Sequence, residues 1–433
     1  MKSSVKVGLI GFGTVGTGVA KLLLGKNKPY LSGKNFDLEL VKIVDLDITT
    51  DRGIDIPGNL LTINVDDVLD NPDIGIVVEL IGGYEPARSF TLKAFKNGKS
   101  VVTANKALIA KHGTELFEAA DKAGVSYLFE ASVGGGIPIL RGLADGLNAN
   151  NIESISGILN GTTNYILTGM SRDGTDYGDV LETAQELGYA EADPTSDVSG
   201  GDALNKIAIL ARLAYGAVID IDDIYCEGIE QISVQDIDYA AELGFAIKLL
   251  AIAKRRDGNR VEVRVHPTLV PTDSIMAYVE DEFNAIEVYG DAVGREVFYG
   301  KGAGMMPTAS AVISDTVNIA GSLACGNPTP VRWIVPTNGG PELVNIEEVC
   351  LRYYLRFTVK DQAGVLARIS RIFADAEISI ESVIQIGTSD NDCVPLVIMT
   401  HEALEGNMQK AMRLFEQLDI FESRIQLIRV EEI

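Results

Sequence analysis

Apolar residues recur along this chain in two rhythms. Residues 5–13 (VKVGLIGFG) form a short apolar run that closes in glycines, and residues 14–24 (TVGTGVAKLLL) carry apolar positions at helical spacing, so the chain opens as strand, turn and helix. Further apolar runs span 38–44, ending in Asp45, and 74–81, ending in Gly82-Gly83 ahead of a helical stretch over 87–97. Strands at 100–103 and 125–130 flank a helix around 107–123. Strands alternating with helices at this spacing predict βαβ units and a parallel sheet.

From Pro138 the periods lengthen. Helical stretches over 138–148, 176–188 and 201–216, with strand-like 155–160 and 261–270, predict a second, mixed α+β domain. The passage GKGAGMMPTASAVISD leads into a helix over about 306–321, and NPTP followed by 333–345 reads as a linker. The tail predicts strand 352–360, helix 364–376, strands 378–387 and 393–400, helix 403–417 and strand 424–431, the βαββαβ order of the ferredoxin-like fold.

Composition narrows the function classes. The 433 residues are 46% hydrophobic and 23% charged, the balance of a folded chain of about two to four domains. A formal charge of −24 repels phosphate backbones and anionic lipid, which argues against nucleic-acid and membrane partners. No stretch approaches 18 uninterrupted apolar residues and no secretory leader is apparent, so a soluble, cytoplasmic protein is expected. Cys226, Cys325, Cys350 and Cys393 lie far apart without a CxxC pair and read as ordinary buried thiols.

The candidate chemistry starts at Gly11-Phe12-Gly13-Thr14-Val15-Gly16, a GxGxxG between predicted strand and helix, the context in which that motif signals a Rossmann-type dinucleotide site. Asp45 closes the second strand, where a carboxylate can accept from the ribose hydroxyls of NAD and would repel a 2′-phosphate, whereas nearby Lys42 and Arg52 leave NADP open. Lys106, after the strand ending near Thr103, stands at the carboxyl end of the sheet. Glu130 lies in the glycine-rich FEASVGGGI, where a buried carboxylate needs backbone amides or a cation; the residues alone favour the amides. In LGYAEADPTSDVSGGDALNKIAILARLAYG, Asp202 and Lys206 stand four apart on a helix that is otherwise apolar, which turns them towards a cleft that Glu191 can join.

The segments GFGTVG, TANKALIA, FEASVGGGIP, NGTTNYIL, LGYAEADPTSDVSGGDALNKIAILA and DQAGVLARISRIFADAEISIESVIQ together resemble homoserine dehydrogenases that carry a C-terminal ACT domain, over nearly the whole chain. The resemblance implies an α/β protein in three parts. These are an NAD(P)-binding Rossmann domain over 1–137 (completed by about 302–335), a catalytic and dimerisation domain over 138–301, and an ACT regulatory domain over 350–433. It implies reversible hydride transfer between L-aspartate 4-semialdehyde and L-homoserine, with Lys206 as proton donor and with Glu191, Asp202 and Lys106 on the substrate. It also implies that Gly11, Phe12, Gly13, Thr14, Val15, Gly16, Asp45, Thr103, Lys106, Gly188, Glu191 and Gly304 line the cofactor. Glu130, Val133, Gly135 and Ile137 match the family's sodium site. Many relatives carry a basic residue near the end of the second strand where this chain has Asp45, which favours NAD over NADP.

Rival enzymes lack their groups here. A 2-hydroxyacid dehydrogenase needs a paired His, yet His112 and His266 sit away from suitable partners, and an acylating aldehyde dehydrogenase needs a Cys with basic neighbours, which Cys226 and Cys325 lack. A non-catalytic amino-acid sensor remains the alternative, opposed by intact Glu191, Asp202 and Lys206. At least a homodimer, or a homotetramer, is expected, with 155–160 and 261–270 pairing across a two-fold axis. In the tail, the turn over 361–366 can receive an amino acid's carboxylate at a helix start, the resemblance implies feedback inhibition by L-threonine there, and the strand from Ile378 is expected to lie beside the first. Deletion after about 348 is expected to leave an active, threonine-insensitive enzyme.

Overall fold

The computed structural model describes residues 3–325, 329–333, 335, 336, 338–385 and 393–432. The first part of the chain contains β1 (Ser3–Ile10), α1 (Thr14–Leu24), β2 (Phe36–Val44), β3 (Leu61–Thr62), α2 (Asp66–Leu69), β4 (Ile74–Glu79), α3 (Ala87–Lys96), β5 (Ser100–Thr103), α4 (Lys106–Ala123), β6 (Tyr127–Leu128) and α5 (Ile139–Arg141). Next come β7 (Ile152–Ile158), α6 (Gly161–Asp173), α7 (Tyr177–Glu186), α8 (Thr195–Val198), α9 (Gly201–Tyr215), β8 (Tyr225–Cys226), α10 (Val234–Glu242), β9 (Phe245–Arg256) and β10 (Arg260–Pro271). They are followed by β11 (Phe283–Gly290), β12 (Gly294–Lys301), α11 (Met305–Leu323) and β13 (Glu342–Leu343). The tail holds β14 (Cys350–Lys360), α12 (Val365–Asp375), β15 (Ile380–Gln385), β16 (Cys393–Thr400), β17 (Ala403–Leu404), α13 (Glu405–Phe415) and β18 (Gln426–Val430). The end of the strand expected over 378–387 lies outside the described residues. Two compact units result, one of Met1–Ile155, Asn205–Asp223 and Asn284–Pro341, the other of Ser156–Leu204, Ile224–Phe283 and Glu342–Ile433.

The first unit is built on a parallel sheet of order β3-β2-β1-β4-β5-β6, the Rossmann arrangement the alternating runs predict. Val7, Leu9, Ile76, Val78, Val101 and Val102 are at most 1% exposed, as expected of strands buried on both faces. Helix α11 packs against α1, where Gly18 admits the Met305 carbonyl and Ala309. Part of α9 is held in this unit by Arg212, which lies over the Phe117 ring and donates to Thr114 Oγ1 at 2.5 Å, both on α4. The helix expected over 138–148 is one α turn followed by a π turn over Gly142–Gly146. Its glycines weaken the helix, and Gly142 is pressed against the Phe298 ring.

In the second unit β9 and β10 form a long antiparallel hairpin. The other edge of β10 is taken by three parallel partners: β13 at Arg260, β8 at Arg264 and β18 at Thr268. Both edges of β10 are therefore in use, which corrects the expectation that 261–270 pairs with a second subunit. From β18 the sheet runs on through β14, β16 and β15, so the tail is continuous with the hairpin. The strand from Ile378 was expected beside the first tail strand; instead β15 pairs with β16, and β16 lies between β15 and β14. The crossover through α12 leaves a gap of one strand, which β16 fills, as in a split βαβ. Phe357, Phe373 and Phe415, each 0% exposed, centre the tail's core.

Charges lock the tail to the rest of this unit. Arg356 Nε lies 2.6 Å from Asp236 Oδ1 on α10, Arg429 Nη1 lies 2.8 Å from Glu227 Oε2, and Glu431 pairs with Arg264 and Lys254. Asp236 and Arg264 are 0% exposed, so the deletion after about 348 would strip these buried charges of their tail partners, leaving Asp236 with Ser233 and Arg264 with Glu262. The structure thus argues against an active truncated enzyme.

Candidate active site

The loop over 11–16 joins β1 to α1 where the strand order reverses, the position at which open parallel sheets bind dinucleotides. Gly11 has φ +97°, and a Cβ there would come within 2.7 Å of the Leu80 backbone. At Gly16 a Cβ would overlap the Gly11 carbonyl, while at Gly13 it would meet nothing within 4 Å. Gly11 and Gly16 close the turn and Gly13 leaves open space before the start of α1, which no side chain caps. Gly13 and Thr14 are exposed there, Val15 is half-buried and Phe12 is buried beneath. Such a helix start offers N–H groups to a pyrophosphate, so the residues fit a dinucleotide.

Asp45 directly follows β2, yet its carboxylate turns inward: Oδ2 accepts from Phe12 N–H at 2.5 Å and Oδ1 from Asp47 N–H at 2.9 Å. Arg52 approaches Asp45 Oδ1 at 3.9 Å and its guanidinium lies 4.8 Å from the Phe12 ring centroid. The strand end therefore carries a cation as well as an acid, which weakens the case for NAD over NADP. Lys42 points elsewhere, donating to the Asn59 carbonyl.

Beside this loop, β4 and β5 end in register at Glu79 and Thr103. Thr103 Oγ1 donates to Glu79 Oε2 at 2.7 Å, and Ile81 N–H donates to Oε1 at 2.8 Å. Glu79 is 1% exposed and burial raises its pKa. Asn105 caps α4 through Leu108 N–H and donates to the Gly83 carbonyl at 2.7 Å. Lys106 is consequently the first residue of α4, fixed at the carboxyl edge of the sheet. Glu79 escaped sequence reading; an acid inside the run over 74–81 was its one signal.

Helix α9 presents Asp202 and Lys206 one turn apart, 5% and 7% exposed. Asp202 Oδ2 accepts from Asn160 Nδ2 at 2.8 Å, and the same nitrogen donates to Asp197 Oδ1 at 2.7 Å. Thr162 Oγ1 reaches Asp197 Oδ2 at 3.2 Å and the Tyr189 carbonyl at 2.7 Å. Asn160, Thr162 and Asp197 were not singled out from sequence, although the first two lie in NGTTNYIL. Gly188, with φ +76°, and exposed Glu191 lie in the turn after α7, and Gly304, with φ +122°, caps α11.

The Glu130 carboxylate accepts from the N–H groups of Leu140 and Arg141, each at 2.9 Å, as the residues alone favoured. Its own N–H donates to Asp315 Oδ2 at 2.9 Å. Arg141 lies 2.7 Å from Asp315 and 3.9 Å from Glu130, so two carboxylates, 0% and 3% exposed, share one guanidinium. Burial, aided by Asp315, pushes Glu130 up to about 7, and burial pushes Asp315 to about 6. The adjoining loop, through Val133, Gly135 and Ile137, turns at Gly134 and Gly135 with φ of +68° and +55°, and the buried Ser132 hydroxyl has no partner. Surplus negative charge beside an oxygen-rich loop fits a hard cation. Among the described residues no three His, Cys, Asp or Glu side chains cluster to hold a metal, so carbonyl oxygens would be the main ligands.

The rival chemistries find no support. His266 is 0% exposed with Arg264 Nη1 2.6 Å from its Nε2, and burial holds it well below the ordinary histidine range. Burial pushes the Cys226 thiol up to about 11, the opposite of an activated nucleophile. Cys325 and Cys350 are exposed and Cys226 and Cys393 half-buried, correcting the expected burial of all four: Cys325 follows the end of α11 and Cys350 is the first residue of β14. Among the described residues no helix is long and apolar enough to cross a membrane.

A dinucleotide loop on a Rossmann sheet, a buried acid and ammonium on α9 and a βαββαβ tail are the parts of a nicotinamide-dependent oxidoreductase with an ACT domain. Family models described as "Homoserine dehydrogenase, NAD binding domain", "Homoserine dehydrogenase" and "ACT domain" match residues 11–130, 138–317 and 353–419. The homoserine dehydrogenase of Synechocystis sp. is 44% identical over 99% of both chains, and that of Bacillus subtilis 40% identical over 99% of this chain and 98% of its own. The crystal structure of a homoserine dehydrogenase from Thiobacillus denitrificans superposes with a TM-score of 0.93 at 42% identity, covering 100% of each chain. The chain belongs to the homoserine dehydrogenase family.

Proposed function

We propose that this chain interconverts L-homoserine and L-aspartate 4-semialdehyde with NAD or NADP. The buried Asp202 and Lys206 on one helix face carry the reading, because an acid and an ammonium one turn apart suit an amino-acid substrate whose far end gains and loses a proton. A nicotinamide, when bound, supplies or accepts the hydride. Lys206 donates the proton to the aldehyde oxygen during reduction, offsets the charge developing there, and takes the proton back from the alcohol in the reverse direction. Asp202 holds the α-ammonium, Glu191 assists it, and Lys106 binds at the sheet edge that faces the cofactor. Arg52 supplies a contact for a 2′-phosphate, so NADP is used alongside NAD.

A sodium ion held by Glu130, Val133, Gly135 and Ile137 would neutralise the surplus charge that Glu130 and Asp315 leave. L-Threonine would inhibit from the tail turn, where Gly364, φ +94°, starts α12 without a side-chain cap and with open space at its Cβ position. The protein is read as a cytoplasmic enzyme that is at least a homodimer. Oxidation of NADH and NADPH by the full-length protein with L-aspartate 4-semialdehyde, with and without L-threonine, tests the reading. Saturable, threonine-sensitive oxidation is expected; no oxidation with either cofactor would refute the activity.

A further inference from the structure

Asn160 lies between β7 and α6, 4% exposed. Its Oδ1 accepts from Thr163 N–H at 2.8 Å and caps α6. That bond fixes the orientation of the amide, because the flipped amide would set its NH2 against a donor. The nitrogen then faces the other way and donates to Asp197 Oδ1 at 2.7 Å and to Asp202 Oδ2 at 2.8 Å. An amide nitrogen carries two hydrogens, so its whole donor capacity is spent on two carboxylates from different elements, one on α8 and one on α9. Two acids converging on one atom repel each other, and donated hydrogen bonds offset that repulsion.

We propose that Asn160 is a positioning residue: by bridging Asp197 and Asp202 it holds the Asp202 carboxylate in the orientation that binds the substrate's ammonium group. The proposal rests on the reading of Asp202 as the ammonium-binding acid. Its cap and its bridge use opposite ends of one amide, so the two roles can be separated by substitution. In Asn160→Ser the hydroxyl can still cap α6, as serine does well, but is too short to bridge the acids. In Asn160→Asp the capping oxygen is kept and the donor becomes an acceptor aimed at two carboxylates.

The experiment measures KM for L-homoserine, KM for the cofactor, kcat and melting temperature on the full-length wild type and both variants. Loss of a hydrogen bond to a charged group is worth about 1.5–3 kcal/mol, so KM for homoserine should rise about 10- to 150-fold in Asn160→Ser. A fall in kcat of less than about tenfold, an unchanged cofactor KM and a melting temperature within about 3 °C of wild type should accompany it. Asn160→Asp should raise KM at least as much. A homoserine KM within twofold of wild type in folded Asn160→Ser, or equal losses in both KM values, would overturn the proposal. A wild type that does not turn over homoserine would instead refute the substrate reading, and this proposal with it.

Discussion

Replacing Arg356 by Met removes the tail's partner for Asp236 while keeping most of the volume of the side chain. Asp236 is 0% exposed and the Arg356 side chain 11%, so water screens the pair little. Two bonds hold it, Nε to Oδ1 at 2.6 Å and Nη2 to Oδ2 at 3.0 Å. The carboxylate left behind keeps Ser233, whose Oγ and N–H lie 2.5 and 3.1 Å from Oδ2, and the more distant Tyr354 hydroxyl at 3.3 Å. Breaking a buried pair on one side costs about 3–5 kcal/mol, because the remaining charge stays desolvated. A domain stability of about 5–15 kcal/mol makes that a large fraction. At about 2–4 °C per kcal/mol, the melting temperature should fall by about 6–20 °C. Calorimetry on Arg356→Met, on Asp236→Asn, which retains an acceptor for the capping box on α10, and on the double variant measures it. The double variant should be markedly less destabilised than the two single losses summed. A loss below about 1 kcal/mol in Arg356→Met, with additive effects, would refute the view that the tail is ion-paired into the second unit.

Ending the chain after Glu348 removes Arg356, Arg429 and Glu431 together, so the truncated protein should express insolubly or lose cooperative melting; a soluble fragment with wild-type turnover would contradict this. Arg52→Ala should lower kcat/KM for NADP by about 10- to 150-fold, the worth of one charged hydrogen bond, and change that for NAD less than about threefold; equal losses for both cofactors would remove Arg52 from 2′-phosphate recognition.

Much of this molecule was legible where its determinants are local. The glycine turn and the pair on α9 declare themselves through spacing, and the tail through the amphipathic helix α12, whose Ile369 and Phe373 are buried while Arg371 faces water. What escaped depends on distant partners. Helix α6 buries Thr162, Thr163, Asn164 and Thr168, so its inward face does not read as apolar. Strand β9 (FAIKLLAIAKRR) is a nearly continuous apolar run that gives no alternation to follow. In β10 the alternating Glu262, Arg264, His266 and Thr268 read as a solvent face, yet all are at most 1% exposed because other parts of the unit cover them. The bridge from Asn160 spans 37 and 42 residues to its acids, and no local pattern encodes such a distance.

The most direct test of the account is the turnover of Lys206→Ala with L-aspartate 4-semialdehyde and NADPH or NADH. Losing a positioned acid should lower kcat by about two to four orders of magnitude, with cofactor binding, read by fluorescence titration, unchanged within about twofold. A kcat near that of wild type would show that α9 does not carry the proton donor.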